Sequence, residues 1–228
     1  MAKNDEAKQL PIFDGMMDED NKELAVVDEE EAAPLDIYTN QPSFTIEDIA
    51  PPMLKLLQGL SPEVQDGVGS AGEWALSGFD PKEDLVVVPM SFARRREYRD
   101  DDTFALLCKS FDGETGTGEP GGNCADCPMN KWIDSKPPKC QFMYSYVMYV
   151  ADFQAGGIVN FKRTGLAAGK SLNSIMSRRG FGNVALILGS KKQSGKKGAY
   201  YIPQLRPMDA EEEAAVLSEA GAFFTSAK

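Results

Sequence analysis

Four cysteines are the residues of this chain whose type and spacing best suit a metal ion. Cys108, Cys124, Cys127 and Cys140 follow the pattern C-x15-C-x2-C-x12-C, and Pro128 comes directly after the central Cys-x-x-Cys pair. Such a pair presents two thiolates in one turn, where they converge on a tetrahedral ion, and thiolates suit Zn²⁺. The spacing therefore predicts a structural zinc site that ties strand ends to a glycine-rich loop.

Other interpretations of these cysteines remain open, namely a redox-active Cys-x-x-Cys pair, an iron–sulfur cluster or four unrelated buried thiols. A redox pair leaves Cys108 and Cys140 without a role, and no thioredoxin-like strand–helix–strand pattern surrounds it. A reducing cytoplasm disfavours disulfides. Structural Zn²⁺ is therefore the expected cofactor.

A basic segment without acidic residues is the second candidate for binding chemistry. Residues 153–208 contain ten Lys and Arg side chains and no Asp or Glu, within a chain of net charge -11. Each neutralised phosphate releases counterions, and a nearby carboxylate would oppose that gain. The segment therefore predicts contact with a polyanion. A basic surface that merely balances an acidic segment elsewhere is the alternative.

Aromatic residues interleave with these cations and with a second basic run at residues 94–99. This mixture is typical of proteins that hold single strands, because any base can stack on an aromatic ring. Tyr144 and Tyr146 are the preferred stacking candidates, whereas Phe161 is expected in the core. The predicted nucleic-acid contacts are Arg94, Arg95, Arg96, Tyr98, Arg99, Tyr144, Tyr146, Lys162, Arg163, Lys170, Arg178, Arg179, Lys191, Lys192, Lys196 and Lys197.

Two features of the sequence argue against catalysis. The chain contains no His, which removes the commonest general base and every Ser-His or Cys-His nucleophile arrangement. Residues 165–171 are similar to a phosphate-binding loop, but they are one residue short of that motif. The acid-free segment also offers no magnesium-binding Asp nearby. We therefore expect a protein that is not an enzyme.

Short segments rich in β-branched and aromatic residues must position these side chains. The main elements follow the order strand, strand, strand, helix, strand, strand, which is that of an OB-fold. The predicted fold class is mainly β with a few helices, an OB-fold-like five-stranded barrel with an inserted four-cysteine zinc loop at residues 108–140. Strands are predicted at residues 74–76, 85–92, 104–108, 141–150, 158–163, 184–188 and 199–205.

Helices and loops connect these strands. Apolar periodicity predicts a short helix at residues 53–60 and a longer one at 166–179, with Leu172 and Met176 on its apolar side. Residues 191–198 are predicted as a hairpin loop, and Pro89 indicates a strand edge or a bulge. A terminal helix is expected to follow residue 209.

Charge divides the chain into three parts. The first 50 residues hold 14 acidic and 3 basic side chains, a charge of -11, so the remainder sums to zero. Residues 1–42 are therefore predicted to be an acidic disordered segment. It acts either as a solubilising tail or as a nucleic-acid mimic that competes for the basic surface or docks partner proteins. Residues 43–208 are the predicted nucleic-acid-binding domain, and 209–228 are an acidic C-terminal helix or tail.

The four cysteines, the arginines at 94–99, the tyrosine-rich strand at 142–149 and the lysines at 191–197 together resemble a known family. This family comprises the zinc-containing OB-fold single-stranded DNA-binding proteins of tailed bacteriophages. The resemblance implies a protein that coats single-stranded DNA without sequence specificity during phage replication, recombination or transcription. Two features depart from the best-known members, which hold zinc with one His and three Cys and carry their acidic partner-binding tail at the C-terminus.

A zinc-ribbon adapter that recruits a polymerase or another replication or transcription protein is the alternative function. The expected partners are single-stranded DNA and, through the acidic N-terminal segment, replication or transcription proteins. No apolar run is long enough to span a bilayer, and the N-terminus lacks the apolar stretch of a secretory signal. We therefore expect a cytoplasmic protein without membrane contact, located in the host cytoplasm if a phage encodes it.

Overall fold

A mixed sheet of ten strands dominates the computed structural model, which describes residues 52–195 and 198–226. The predicted acidic segment at 1–42 and the predicted start of the folded domain at residue 43 lie outside the described residues. The mainly β architecture predicted from the sequence is confirmed. None of the described helices is long and apolar enough to cross a membrane.

The longest strand, β3 (Leu85–Arg99), contacts most of the others. The remaining strands are β1 (Met53–Leu56), β2 (Trp74–Ala75), β4 (Leu106–Ser110), β5 (Thr115–Gly118), β6 (Gly122–Asn123), β7 (Gln141–Val150), β8 (Ala155–Lys162), β9 (Leu186–Gly195) and β10 (Gly198–Pro207). The α-helices are α1 (Pro62–Gln65), α2 (Leu166–Arg179) and α3 (Ala210–Ser226).

Strand β3 pairs antiparallel with β7 over most of its length, with β9 at its start and with β4 at its end. Its register shifts between Pro89 and Ser91, which confirms a bulge at the proline. The strand does not end at residue 92 as predicted but runs on to Arg99. Pairing with β7 continues through the arginines, so residues 94–99 lie within the sheet.

Pairing joins the sheet in the order β10, β9, β3, β7, β8, β1, β2, and only β1 and β8 run parallel among these. Within the described residues no pairing joins β10 to β8 or to β1. The sheet therefore stays open at this side, and the predicted closed five-stranded barrel is not confirmed.

The main hydrophobic core lies between the sheet and α2. Leu172 and Met176 of α2 pack there, which confirms the apolar side predicted for this helix, and Phe161 is buried as expected. A Cβ at Gly169 would lie 2.8 Å from Cδ2 of Tyr144 and 3.0 Å from Cβ of Phe161. The second glycine of the phosphate-loop-like segment therefore allows close helix–sheet packing.

Helix α3 packs against a second, smaller core built on Val88 and Tyr149. The Tyr149 hydroxyl donates a hydrogen bond to Oε1 of Glu219 at 2.6 Å. Burial is the main cause that raises the pKa of Tyr149 to about 12. The terminal helix predicted after residue 209 is confirmed, and it ties the end of the described chain to the sheet.

Two predicted elements are wrong. Residues 53–56 form strand β1 and not the start of a helix, because Met53 and Leu54 pair with β8 while the next two residues pair with β2. Residues 191–198 are not a hairpin loop, since β9 and β10 pair all the way from Lys191 to Gly195. Lys191 and Lys192 therefore lie in a strand, and Lys196 and Lys197 lie outside the described residues.

Candidate metal centre and nucleic-acid interface

The four cysteines line one small cavity of about 10 Å³, called here the cysteine cavity. Cys108 lies on β4, and Cys140 directly precedes β7. Cys124 follows β6, and Cys127 precedes a 3-10 turn at Pro128–Asn130. All four are free thiols, and none of the lining residues, all of them described, is acidic. The structure thus places all four cysteines around one cavity.

Asn130 bonds to the backbone of two of the cysteines that line the cysteine cavity. Its Nδ2 donates to the carbonyl oxygen of Cys124 at 2.9 Å, and its backbone N–H donates to that of Cys127 at 3.1 Å. Arg96 donates from Nη1 to Oδ1 of Asn130 and from Nε to the carbonyl oxygen of Gly113 at 2.9 Å. The guanidinium of Arg96 is therefore engaged inside the protein.

Electrostatics at Cys140 also reflect the crowding of the thiols. Burial, as the main cause, raises the pKa of Cys140, while Arg96 beside it favours the thiolate. The charges of Cys124 and Cys127 add to the upward shift of this pKa. In the described part of the chain, however, no three Cys, His, Asp or Glu side chains form a ready-made metal-binding group.

The four cysteines share a cavity lining but do not form a ready-made metal-binding group. In a zinc site each thiolate sulfur lies about 2.3 Å from the ion. Four sulfur donors without a carboxylate suit Zn²⁺ and do not suit Mg²⁺ or Ca²⁺, which prefer oxygen. The donor set of the cysteine cavity therefore fits the predicted ion.

A cleft of about 520 Å³ lies between β1, β8 and β10, at the open side of the sheet. We call it the β1–β8–β10 cleft. Its lining includes Lys162, Arg163, Tyr200 and Tyr201, and none of the lining residues, all of them described, is acidic. Lys162 and Arg163 are exposed, and within the described residues neither forms an ion pair. Two of the predicted nucleic-acid contacts thus meet two tyrosines in one concave surface.

The backbone at Arg163 is unusual. Its φ of 50° lies in the left-handed region, which residues with a side chain seldom adopt. At this point the chain leaves β8 and turns into α2. The conformation holds Arg163 at the mouth of the cleft, beside Lys162.

The tyrosines of the cleft are fixed by their neighbours. Gln58 accepts from the backbone N–H of Tyr201 at 2.9 Å and donates to its carbonyl oxygen at 3.0 Å. The Tyr200 hydroxyl donates to Gln193 at 2.9 Å. Lys192 pairs directly with Tyr201, so its side chain shares that face of the hairpin. The sequence placed Tyr200 and Tyr201 among the interleaved aromatics but did not select them as contacts.

Tyr146 lies in the main core and is 0% exposed. Its ring packs against Phe92 and Phe161, and its hydroxyl donates to Asn173. Burial is also the main cause that raises the pKa of Tyr146. The stacking role predicted for this residue conflicts with its burial. Tyr144 is half-buried and packs edge-on against Phe142.

The remaining predicted contacts do not gather at the cleft. Arg96 and Tyr98 line the cysteine cavity, and Arg99 pairs with Glu97 at 3.3 Å. Arg179 pairs with Glu213 of α3 at 3.0 Å. Four further predicted cations are exposed on β3, α2 and β9, and they are Arg94, Lys170, Arg178 and Lys191. The basic segment therefore spreads over several surfaces.

Arg95 lies in a separate pocket that also contains Phe111, a residue that sequence reasoning missed. The only sequence signal for Phe111 is its position between Lys109 and the glycine-rich loop.

No known protein family, curated protein or solved structure matches this chain.

Proposed function

We propose that this protein is not an enzyme and coats single-stranded DNA without sequence specificity. The β1–β8–β10 cleft carries this proposal, because it joins Lys162 and Arg163, which form no ion pair among the described residues, to tyrosine rings and contains no acidic lining residue. Single-strand binding needs this combination, in which cations neutralise phosphates and rings stack unpaired bases. Phage replication, recombination or transcription is the proposed setting, and replication or transcription proteins are the proposed partners of the acidic N-terminal segment.

Strand order supports an OB-like unit made of β3, β7, β8, β9 and β10. These strands pair in the order β10, β9, β3, β7, β8, and α2 connects the third strand of the unit to the fourth. In an OB-fold the face of the second and third strands binds oligonucleotides, flanked by the loops after the first and fourth strands. Here those loops are residues 100–140, called the cysteine insert, and the β9–β10 turn. Strand β1 occupies the gap between β8 and β10.

The cysteine cavity is the proposed zinc site. Cys108, Cys124, Cys127 and Cys140 would hold the ion, which supplies structural crosslinking and takes no part in DNA chemistry. The thiols fix the start of β7 and the middle of β4 to the loop between them. The insert thereby becomes a rigid wall beside β3 and β7.

Replacing Lys162 and Arg163 by Gln should weaken binding to oligonucleotides of every sequence. Gln keeps a polar side chain but removes the charge, so two phosphate contacts are lost. The plot of log K against log salt should flatten by about 0.7 per contact, or about 1.4 in total. Fluorescence polarisation with labelled oligonucleotides at several salt concentrations measures both effects.

The matched control replaces Lys170 and Arg178 by Gln, because these residues lie on the exposed side of α2 and do not line the cleft. It removes the same charge and should have much less effect on affinity. Equal losses of affinity in the two double variants would mean that the DNA strand binds elsewhere. An unchanged affinity in the first variant would contradict the proposed cleft.

One feature favours the adapter as a second candidate function. Trp132 and Ile133 are 69% and 58% exposed on a tight hairpin of the cysteine insert. Ile133 bridges Lys136, and the turn residues between them have positive φ values of 49° and 60°. Exposed apolar side chains on a defined turn are typical of protein interaction sites.

The adapter function predicts a protein complex that resists salt. Binding of a purified polymerase should persist at salt concentrations that release oligonucleotides, and Trp132→Ala should abolish it while leaving oligonucleotide affinity unchanged. Trp132 emission can report such docking, because the second tryptophan, Trp74, is only 1% exposed. A protein complex that dissociates at the same salt concentration as the oligonucleotide would contradict the adapter function.

A further inference from the structure

A second cavity, of about 230 Å³, lies on the outer face of β3, β7 and β8, and we call it the outer-face pocket. Val147 and Ile158 face each other across β7 and β8 and form its apolar floor. Phe111 reaches it from the cysteine insert. None of its lining residues, all of them described, is acidic. The pocket thus shares with the β1–β8–β10 cleft a lining without acidic residues.

Phe111 is an exposed aromatic ring held by cations. It is 58% exposed, with Cζ of Arg95 at 4.9 Å and Nζ of Lys109 at 5.1 Å from its centroid. Such contacts fix the orientation of the ring. Both cations lie over the ring, so a base that stacks there displaces them from the ring and brings its carbonyl and phosphate oxygens within their reach.

Arg95 carries an unused hydrogen-bond donor. Its Nε is buried and has no partner, one of two such side-chain atoms in the described part of the chain. A buried donor without a partner loses the free energy of its hydrogen bonds to water. An acceptor that enters the pocket satisfies it once the guanidinium of Arg95 turns toward the ligand.

The outer-face pocket and the β1–β8–β10 cleft meet at one side-chain pair. Ser145 lines the pocket, and its hydroxyl donates to Oδ1 of Asn160, which lines the cleft. The two residues are also direct partners across β7 and β8. A DNA strand that extends from Lys162 along this face therefore passes from the cleft to the pocket across a polar, uncharged pair of side chains.

We infer that the outer-face pocket binds an unstacked nucleobase of the strand whose phosphates occupy the cleft, with the base against Phe111 and an acceptor on Arg95. This inference rests on the proposed function. The path runs across the second and third strands of the OB-like unit, from the β9–β10 side to the cysteine insert.

Photocrosslinking tests the inference in the unaltered protein. An oligothymidine that carries 5-iodouracil at single positions is irradiated on the full chain, and crosslinked peptides are mapped by mass spectrometry. The expected adduct is on Phe111. Adducts confined to cleft residues would overturn the base pocket and leave the proposed function standing, whereas an oligonucleotide that does not bind would overturn both.

Substitution gives an independent measurement. Phe111→Ala should weaken oligothymidine binding about 5-fold to 150-fold without changing the salt dependence, because stacking is uncharged. Phe111→Trp should restore affinity. The matched control is Phe104→Ala, which removes a ring that is 72% exposed in the β3–β4 turn and outside the pocket. Equal effects of the two Ala variants, or a changed salt slope for Phe111→Ala alone, would overturn the inference.

Discussion

Replacing Cys127 by Ser should release one zinc ion per chain and unfold residues 109–139. Between Ser110 and β7 the insert contains only the short strands β5 and β6 and one 3-10 turn, so a bound ion would contribute most of the folding free energy of this segment. Structural zinc sites bind with an apparent free energy of about 10–16 kcal/mol in isolated zinc fingers, and that energy is folding energy. Elemental analysis of protein purified without chelator measures the metal, and amide hydrogen exchange measures the unfolding.

Ala125→Ser is the matched control for this experiment. It adds a hydroxyl at the exposed position between Cys124 and Cys127 but leaves all four thiols in place, so zinc and amide protection should be retained. Protein that contains no zinc, or only iron, would contradict the proposed site. So would a Cys127→Ser variant that keeps both its metal and its protected insert.

The zinc prediction also separates the two halves of the proposed DNA path. Phe111 belongs to the insert, whereas Lys162 and Arg163 belong to β8 and the turn into α2. Loss of the metal should therefore remove the stacking contact and preserve the salt-dependent phosphate contacts. Cys127→Ser should weaken binding while its salt slope stays near that of the unaltered protein.

Tyr146→Ala should destabilise the protein by about 3–5 kcal/mol, the usual range for truncating a buried aromatic residue. The ring packs against Phe92, Phe161 and Phe181, and its removal leaves a cavity under α2. Tyr146→Phe keeps the packing and loses the hydrogen bond to Asn173, so about 1–3 kcal/mol should be lost. Urea denaturation followed by circular dichroism measures both values.

Tyr200→Ala is the comparison for the core variant. Tyr200 is half-buried and lines the cleft, so its loss should reduce oligonucleotide affinity more than it reduces stability. A Tyr146→Ala protein that unfolds at the normal urea concentration but no longer binds DNA would contradict the core position of Tyr146. It would restore the stacking role first predicted for that residue.

Local sequence patterns predicted the elements whose structure depends mainly on the preferences of their own residues and not on distant contacts. Helix α2 has the predicted bounds, since the spacing of Leu172 and Met176 matches a helical turn and Gly180 can adopt the φ of 78° at its end. Strand β7 also has the predicted bounds, because six of its ten residues are aromatic or β-branched. The bulge at Pro89 follows from the missing N–H of proline. The cysteine spacing, likewise, grouped four residues that line one cavity.

Partners distant in the sequence decided the other features. The apolar run at 53–57 suits a helix or a strand, and pairing of Met53 and Leu54 with β8 selects the strand. Tyr144 and Tyr146 lie on one face of β7, but α2 covers that face, so Tyr146 is buried in the core and Tyr144 packs against it. A strand pattern assigns residues to two faces without telling which one is buried.

Charge shows the same division between sequence and tertiary structure. The sequence alone determined that residues 153–208 carry cations without acids, which suits a polyanion. Only the fold decided which cations share a surface, since Lys162 and Arg163 meet Tyr200 across the gap between β8 and β10 while Lys170 points away on α2. The composition of a segment does not tell which of its side chains lie close together in the folded protein. The order in which the strands pair determines that.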